Sequence, residues 1–422
     1  MALACLFAAP VSAKSLEDAK WIEVTTPNFQ IRSLLGKTKT VDMARHLELL
    51  QVAVSDFTNI EITASPVPTY IYAVRSEKDF DIFNIDDGVA GVFQAKIRDN
   101  TILIRDTRGM DESAIIMHEY VHFLLRNHGG FNYPRWYDEG FAEYFGASKI
   151  HGKKFEVGIA SDHRIPGLAL SKWIEGDELL SSTAFSDLDD DDKSMFYGQA
   201  WLLVHYLQHS EENSVVVADA INKYAALIAE GAGEIESFER AFQIEASSLE
   251  ETLDTYMRKE RTKYYSIPIE KLLPEFSPTI RKLSREEAAL GLAQLAVRRG
   301  DLSIAQEWFE IALTRGETRA RALSGMGVVQ YSLGENEKAE QQLKEGLSLE
   351  PENPAMHLNM ANYWIARAKT ASLPSARDEF LGFARSNLLA AWKIDSTIPE
   401  IYAMNGATQS LETIEHQAAA AT

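Results

Sequence analysis

The chain has 422 residues, of which 45% are hydrophobic and 25% charged, and its formal net charge is −20. This length exceeds one typical domain and the composition is that of a folded protein, so we expect two or three domains. The acidic balance argues against binding of nucleic acid or of an anionic membrane, because both need a basic surface.

The first thirteen residues, MALACLFAAPVSA, form an apolar run that ends in small residues. This pattern is typical of the apolar core and cleavage site of a secretory signal, although the usual basic start is missing. We predict residues 1–13 as a signal peptide and the protein as exported, periplasmic or secreted. A frayed apolar terminus and a lipid anchor at Cys5 are the alternatives. No later apolar run is long enough to span a bilayer, so the mature chain is expected to lack a transmembrane segment.

Residues 20–265 show strand signals first and helix signals later. Short β-rich runs occur at WIEVTT, NFQIRS and TYIYAV, with a helical stretch at 41–57 between the second and the third. Two further strands are predicted at 91–94 and 101–105. Helical patterns dominate from Asp111 onward, interrupted by a predicted hairpin at 150–159. This order predicts an α+β domain with a small mixed sheet and a helical lobe.

The segment 266–283 contains three prolines and is predicted to be a linker. Beyond it, Gly291, Gly300 and Ala305 recur 34 residues later as the same residue types. This period predicts tetratricopeptide repeats over 284–410, followed by a disordered tail at 411–422. Such an array either binds peptide segments of partner proteins or stabilises a neighbouring domain, and both interpretations stay open.

The motif His118-Glu119-Tyr-Val-His122 lies on a predicted helix. Histidines four residues apart project from the same side of a helix, so both imidazoles can reach one metal ion. Glu119 is rotated by about 100° from His118 and is therefore placed to act as a general base and not as a ligand. The alternative is a helix whose histidines are capped by backbone groups or carboxylates. Two histidines and a glutamate on a largely apolar helix are costly without partners, which favours the metal site.

A third ligand is expected, since a catalytic zinc usually takes three protein ligands. Glu139 and Glu143 are four residues apart on a second predicted helix and so face the same way. One of them can bind the metal, and the other can then accept a hydrogen bond from the far nitrogen of a ligating histidine. Taken alone, the two glutamates are equally typical of a solvated helix face.

The motif HEYVH followed by WYDEGFA resembles the gluzincin metallopeptidases. HEYVHFLL with DEGFAEYF is similar to a bacterial group with a peptidase-MA-like domain, often joined to tetratricopeptide repeats. The resemblance extends over residues 20–265, with specific motifs only at 115–145. It implies a zincin-like fold, Zn²⁺ as cofactor, Glu139 as the third ligand and Glu143 as the support of a ligating histidine.

The segment MFYGQAW is similar to the aminopeptidase segment that carries a tyrosine stabilising the oxyanion. That role would fall on Tyr197, although Gln199 replaces the family's lysine; a core position on its helix is the alternative for Tyr197. The sequence also lacks the acidic strand that holds a free substrate amine in those enzymes. This departure favours cleavage within a chain, or a narrow specialised hydrolysis, over aminopeptidase activity.

Together these features predict an exported zinc metallopeptidase that acts on a peptide or protein substrate. The competing hypothesis is a repeat-containing binding or scaffold protein whose metal site is structural or inactive, and hydrolysis of a non-peptide bond is a third. His205 and His209 are interpreted as helix-surface residues.

Overall fold

The computed structural model describes residues 16–62, 67–85, 91–106, 112–128, 131–159, 165–170, 172–212, 215–260 and 263–420. The predicted signal peptide and Cys5 lie outside these residues. The described chain is a mixed α+β protein with a C-terminal region made only of helices. No helix in these ranges is long and apolar enough to cross a membrane.

The strands form two sheets. They are β1 (Ile22–Thr25), β2 (Phe29–Ser33), β3 (Thr69–Val74), β4 (Gly91–Ala95), β5 (Asn100–Arg105), β6 (Lys149–His151), β7 (Lys154–Val157), β8 (Tyr265–Pro268) and β9 (Thr279–Lys282). The larger sheet has the order β4-β5-β3-β2-β1-β9, and the smaller has the order β6-β7-β8. In the larger sheet β3 pairs in parallel with both β2 and β5, and the remaining pairs are antiparallel. The strands predicted from the β-rich runs and the hairpin at 150–159 are confirmed.

Most helices of the N-terminal part contribute residues to one core with the larger sheet. The N-terminal helices are α1 (Lys37–Thr58), α2 (Glu77–Asp81), α3 (Glu112–His128), α4 (Arg135–Gly146), α5 (Ile165–Leu170), α6 (Gly176–Leu180), α7 (Asp190–His209), α8 (Val217–Ala229), α9 (Glu234–Phe242), α10 (Leu249–Glu260) and α11 (Ile269–Leu272). The C-terminal helices are α12 (Arg285–Arg299), α13 (Leu302–Ala312), α14 (Gly316–Ser332), α15 (Asn336–Leu349), α16 (Pro354–Thr370), α17 (Pro374–Ile394) and α18 (Pro399–Ala420). We call α12–α18 the helical array.

Both faces of the larger sheet are buried, and by different parts of the chain. Successive residues of a strand point to opposite faces. Ile71 and Ile102 therefore join the core formed with α1, α3, α4 and α7. Tyr72 and Leu103, one position further along each strand, join a second core formed with α12–α14. The sheet thus lies between the helical lobe and the helical array.

The segment 266–283, predicted as a linker, contributes to both sheets. β8 pairs with β7, and β9 pairs with β1 as an edge strand of the larger sheet. A capping box at Ser284 and Glu287 then starts α12 directly after β9. The array follows the sheet without a free spacer.

Helices of the array pack mainly as the successive pairs α12 with α13, α14 with α15, and α16 with α17. Small residues allow this approach: a Cβ atom added at Gly325 would overlap the ring of Phe309. The last helix, α18, runs through residues 411–420, which the sequence predicts as a disordered tail.

Candidate metal centre

The candidate site lies where α3 packs against α4. Met117, Val121 and Leu124 bury one side of α3 in the core, which leaves the His118 and His122 side toward α4. Pro134 precedes α4 as its N-cap residue, and Trp136 in the first turn packs edge-on against Phe238 at 5.4 Å between ring centroids. Both helices are therefore fixed by core packing close to the polar site.

Three ligand atoms converge between these helices. His118 Nε2 and His122 Nε2 are 3.1 Å apart, and Glu139 Oε2 lies 3.4 Å from the first and 3.2 Å from the second. Ligand atoms held about 2.0–2.1 Å from a tetrahedral zinc are about 3.3–3.4 Å from one another. The triangle of His118, His122 and Glu139 therefore has the size that a zinc ion needs, with no rearrangement of the helices.

His122 is oriented by a carboxylate on its other ring nitrogen. Its Nδ1 lies 2.8 Å from Asp138 Oδ1, and Arg126 donates to Asp138 Oδ2 at 2.8 Å. A proton on Nδ1 leaves the Nε2 lone pair free for a metal, which is the arrangement that outer partners of zinc ligands produce. The sequence analysis missed Asp138, although an acidic residue directly before Glu139 was a usable signal.

His118 and Glu139 have their own neighbours. Glu143 Oε1 lies 3.7 Å from His118 Nδ1, on the side of the ring away from the ligand triangle. The Arg135 guanidinium lies 3.1 Å from Glu139 Oε1 and stacks over Phe185 at 4.2 Å from the ring centroid. With one carboxylate oxygen held by Arg135, Glu139 presents its other oxygen to the histidines. Arg135, four residues before Glu139, was also missed from sequence.

The electrostatics of the site favour a positive charge at its centre. Burial alone would lower the pKa of His122, but Asp138 and Glu139 outweigh it and raise this pKa to about 9. Burial alone would raise the pKa of Glu139, but His118 and His122 hold it well below its usual range. The carboxylate is therefore ionised at neutral pH, and a proton and a metal ion compete for the same histidine nitrogen.

The two predicted catalytic residues lie on α3 and α7. Glu119 follows His118 on α3 and is half-buried. Tyr197, also half-buried, lies on α7 with its ring centroid 6.5 Å from that of His118. The side chain of His118 is 18% exposed, against 7% for His122 and 5% for Glu139. Solvent therefore reaches the site from the side of His118, where Tyr197 lies.

Gln199, which stands where the resembling enzymes have lysine, has a structural contact here. Its side chain is buried, accepts a hydrogen bond from Ile174 N at 2.7 Å and donates one to Ile174 O at 2.9 Å. Both bonds tie α7 to the segment before α6, so Gln199 has a role in the scaffold.

Gly140, next to Glu139, allows α4 to cross α7 at very short distance. A Cβ atom added there would overlap the Ala200 carbonyl oxygen and lie 2.9 Å from Val204 Cγ2. This close approach brings the helix of Tyr197 to the helix of Glu139, so the glycine of the motif sets the geometry of the site.

The interpretation of His205 as a surface residue is wrong. His205 is fully buried, with Nδ1 2.8 Å from Tyr256 Oη and Nε2 2.8 Å from the Lys263 carbonyl oxygen. Residues from α10 and from the segment after it cover this face of α7. His209 is partly buried and bonds Tyr144 Oη at 2.9 Å.

The fold and the site define a mixed α+β protein with a candidate three-ligand metal centre. Residues 112–226 of the chain match the family DUF1570, described as a protein of unknown function. The match includes α3, α4 and α7, and so contains every residue of the candidate centre. No curated protein matches the chain.

Proposed function

We propose that this protein is a zinc-dependent hydrolase of the gluzincin type and that it acts as a peptidase. The observation that carries the proposal is the triangle of His118 Nε2, His122 Nε2 and Glu139 Oε2, with distances of 3.1 to 3.4 Å between the atoms. Two imidazole nitrogens and one carboxylate oxygen form a ligand set that catalytic zinc uses in proteins.

A zinc ion held by these residues would supply a Lewis acid that polarises a carbonyl group and acidifies water. Glu119, next to a ligand on α3, would take the proton of the attacking water and later give it to the leaving amine. The phenol of Tyr197, beside His118, would donate a hydrogen bond to the oxygen on which negative charge develops.

The surrounding residues hold this arrangement. Asp138 fixes the tautomer and the ring orientation of His122, and Arg126 donates to the other oxygen of Asp138 and holds it in place. Arg135 restrains one oxygen of Glu139. Glu143, 3.7 Å from His118 Nδ1, is suited to orient that histidine. Each protein ligand thus has a charged neighbour that limits its motion.

A purely structural metal site would be expected to have four protein ligands. Within the described ranges, the group of side chains able to hold an ion has three members, His118, His122 and Glu139. A general base is also useful only for chemistry, and the motif supplies a candidate, Glu119, next to His118 on α3. Both points favour an enzyme over the competing hypothesis of a binding protein with a structural or inactive site.

The choice of a peptide as substrate is supported by the sheet as well as by the resemblance. β4 is the last strand of the larger sheet and packs against α3, the helix of His118 and His122. An extended peptide can add to the edge of a sheet through backbone hydrogen bonds. We further propose that the helical array is of the tetratricopeptide type and that residues 1–13 direct the protein to export.

The proposal is tested by incubating the full chain with a peptide library and identifying products by mass spectrometry. We expect cleavage that stops with a chelator, returns with zinc, and is lost in Glu119→Gln. Glu251→Gln, which changes an exposed glutamate on α10, is the matched control and should cleave normally. Products that persist in Glu119→Gln would overturn the proposed role. Hydrolysis of model esters without any peptide cleavage would replace the peptidase by a non-peptide hydrolase.

A further inference from the structure

The edge strand β4 lies between the helical lobe and the helical array. Phe93 packs against Phe123 of α3, with ring centroids 5.5 Å apart in an edge-on arrangement. The preceding residue, Val92, points to the other face and packs against the core shared with α12–α14. The position of β4 beside the metal-binding helix therefore depends on contacts from both sides.

The turn after β4 is bound to the array through the hydrogen bonds of an arginine. A backbone hydrogen bond from Lys96 N to Asp99 O closes the turn at 3.1 Å. Arg98 then forms two parallel bonds with Glu400 of α18, Nε to Oε2 at 2.5 Å and Nη2 to Oε1 at 2.8 Å. Its third nitrogen donates to Asn359 of α16. Paired bonds of this kind give geometric selectivity for a guanidinium group.

The next residue in the turn, Asp99, is negatively charged and pairs with an arginine of the array. Asp99 is buried, with 4% of its surface exposed, and Arg298 of α12 donates to its carboxylate. Burial of a carboxylate is costly unless it is paired, so this contact is specific. Asn359 also donates to Ser324 of α14 at 2.8 Å, which joins the residue that receives Arg98 to a further helix of the array.

We propose that the helical array binds a segment of its own chain, the β4–β5 turn at residues 96–99, and thereby holds β4 against α3. The contacts come from α12, α16 and α18, with α14 joined through Ser324, so they follow the first helix of each successive pair. Recognition is by complementary charge: an acidic and an amide group receive Arg98, and a basic group receives Asp99. The array is in this way an intramolecular partner of the edge strand, independent of whether the site binds zinc or hydrolyses peptides.

The test is hydrogen exchange of the full chain, followed in the peptides that contain residues 91–95. Arg98→Ala and Glu400→Ala should each accelerate exchange of these amides about tenfold, because each variant removes charge-assisted hydrogen bonds between the turn and the array. The double variant should show no more acceleration than Arg98→Ala alone, since Arg98→Ala already removes the pair with Glu400 together with the bond to Asn359. Arg319→Ala, which removes an ion pair with Glu345 elsewhere in the array, should leave residues 91–95 unchanged.

A milder variant keeps the test decisive if an alanine variant unfolds. Glu400→Gln retains the shape and one acceptor oxygen but loses the charge, so it should accelerate exchange of 91–95 by a smaller factor than Glu400→Ala. Exchange that equals wild type in both Arg98→Ala and Glu400→Gln would overturn the proposal. Additive effects in the double variant would do the same, because they would mean that the two residues act separately.

Discussion

Replacing Gly140 by alanine should weaken both the fold and the metal site. A Cβ atom at this position would lie 2.6 Å from the Ala200 carbonyl carbon and 2.9 Å from Val204 Cγ2. Carbon atoms in contact are about 3.5–4.0 Å apart, so α4 and α7 would have to separate by about 1 Å. Overpacking of this kind costs about 1–3 kcal/mol, and the helix propensity of alanine returns about 1 kcal/mol. We expect a net loss of about 1 kcal/mol in the free energy of unfolding.

The same separation would displace Glu139 relative to the two histidines on α3. A shift of about 1 Å is well outside the tolerance of about 0.2 Å for a metal–ligand distance, so zinc affinity should fall at least about tenfold. Urea denaturation and competition with a chelator measure the two effects. Gly406→Ala is the control, because Gly406 lies on α18 with no heavy atom within 4 Å of an added Cβ. Gly140→Ala behaving like Gly406→Ala, with unchanged or higher stability and normal zinc affinity, would refute this reasoning.

Four other predictions separate the roles of individual residues. Asp138→Asn should reduce zinc affinity by about 10–100-fold in chelator competition, because His122 loses its charged partner; an unchanged affinity would rule out this role. Glu119→Gln should keep zinc and lose turnover while Glu139→Ala loses zinc itself, and equal loss of zinc in both would show that the roles are misassigned. Tyr197→Phe should lower kcat about 100-fold with zinc content unchanged, whereas normal turnover would place Tyr197 among packing residues. Burial and the charges of neighbouring groups lower the pKa of His209 to about 3 in the folded protein, so the stability that its neutral form contributes is present above about pH 6.5 and is lost as the pH falls toward 3. With allowance for the partial exposure of His209, the free energy of unfolding of His209→Gln should fall by about 1 kcal/mol less than that of wild type between pH 7 and pH 5. Urea denaturation at both pH values measures this, and an equal fall in the two proteins would contradict it.

The fold was predictable where the signal is local. The β-rich run TYIYAV predicts β3, and its two faces are both buried in the structure, by the helical lobe and by the array. β8 and β9 were not predictable in this way. The prolines in and between these strands indicate a linker, and the pairing partners β7 and β1 lie far away in sequence. The burial of His205 likewise depends on Tyr256 and Lys263, which reach it only in the folded chain.

The candidate site shows the same division. The spacing of His118 and His122 fixes their common direction on a helix, so sequence alone indicates that they act together. Glu139 needed the resemblance, since a glutamate pair at this spacing is also typical of a solvated surface. Asp138 had a signal in the sequence, but its role and that of Arg135 could be assigned only from the crossing of α3 and α4, because these roles depend on which oxygen faces which helix.

The central claim is that His118, His122 and Glu139 hold a zinc ion. The most direct measurement is elemental analysis of the purified full chain after reconstitution with zinc, beside His122→Ala and, as a control, His151→Ala, which changes an exposed histidine of β6. We expect about one zinc per chain in wild type and in His151→Ala, and none in His122→Ala. Zinc that is absent from wild type, or that remains in His122→Ala, would contradict the account.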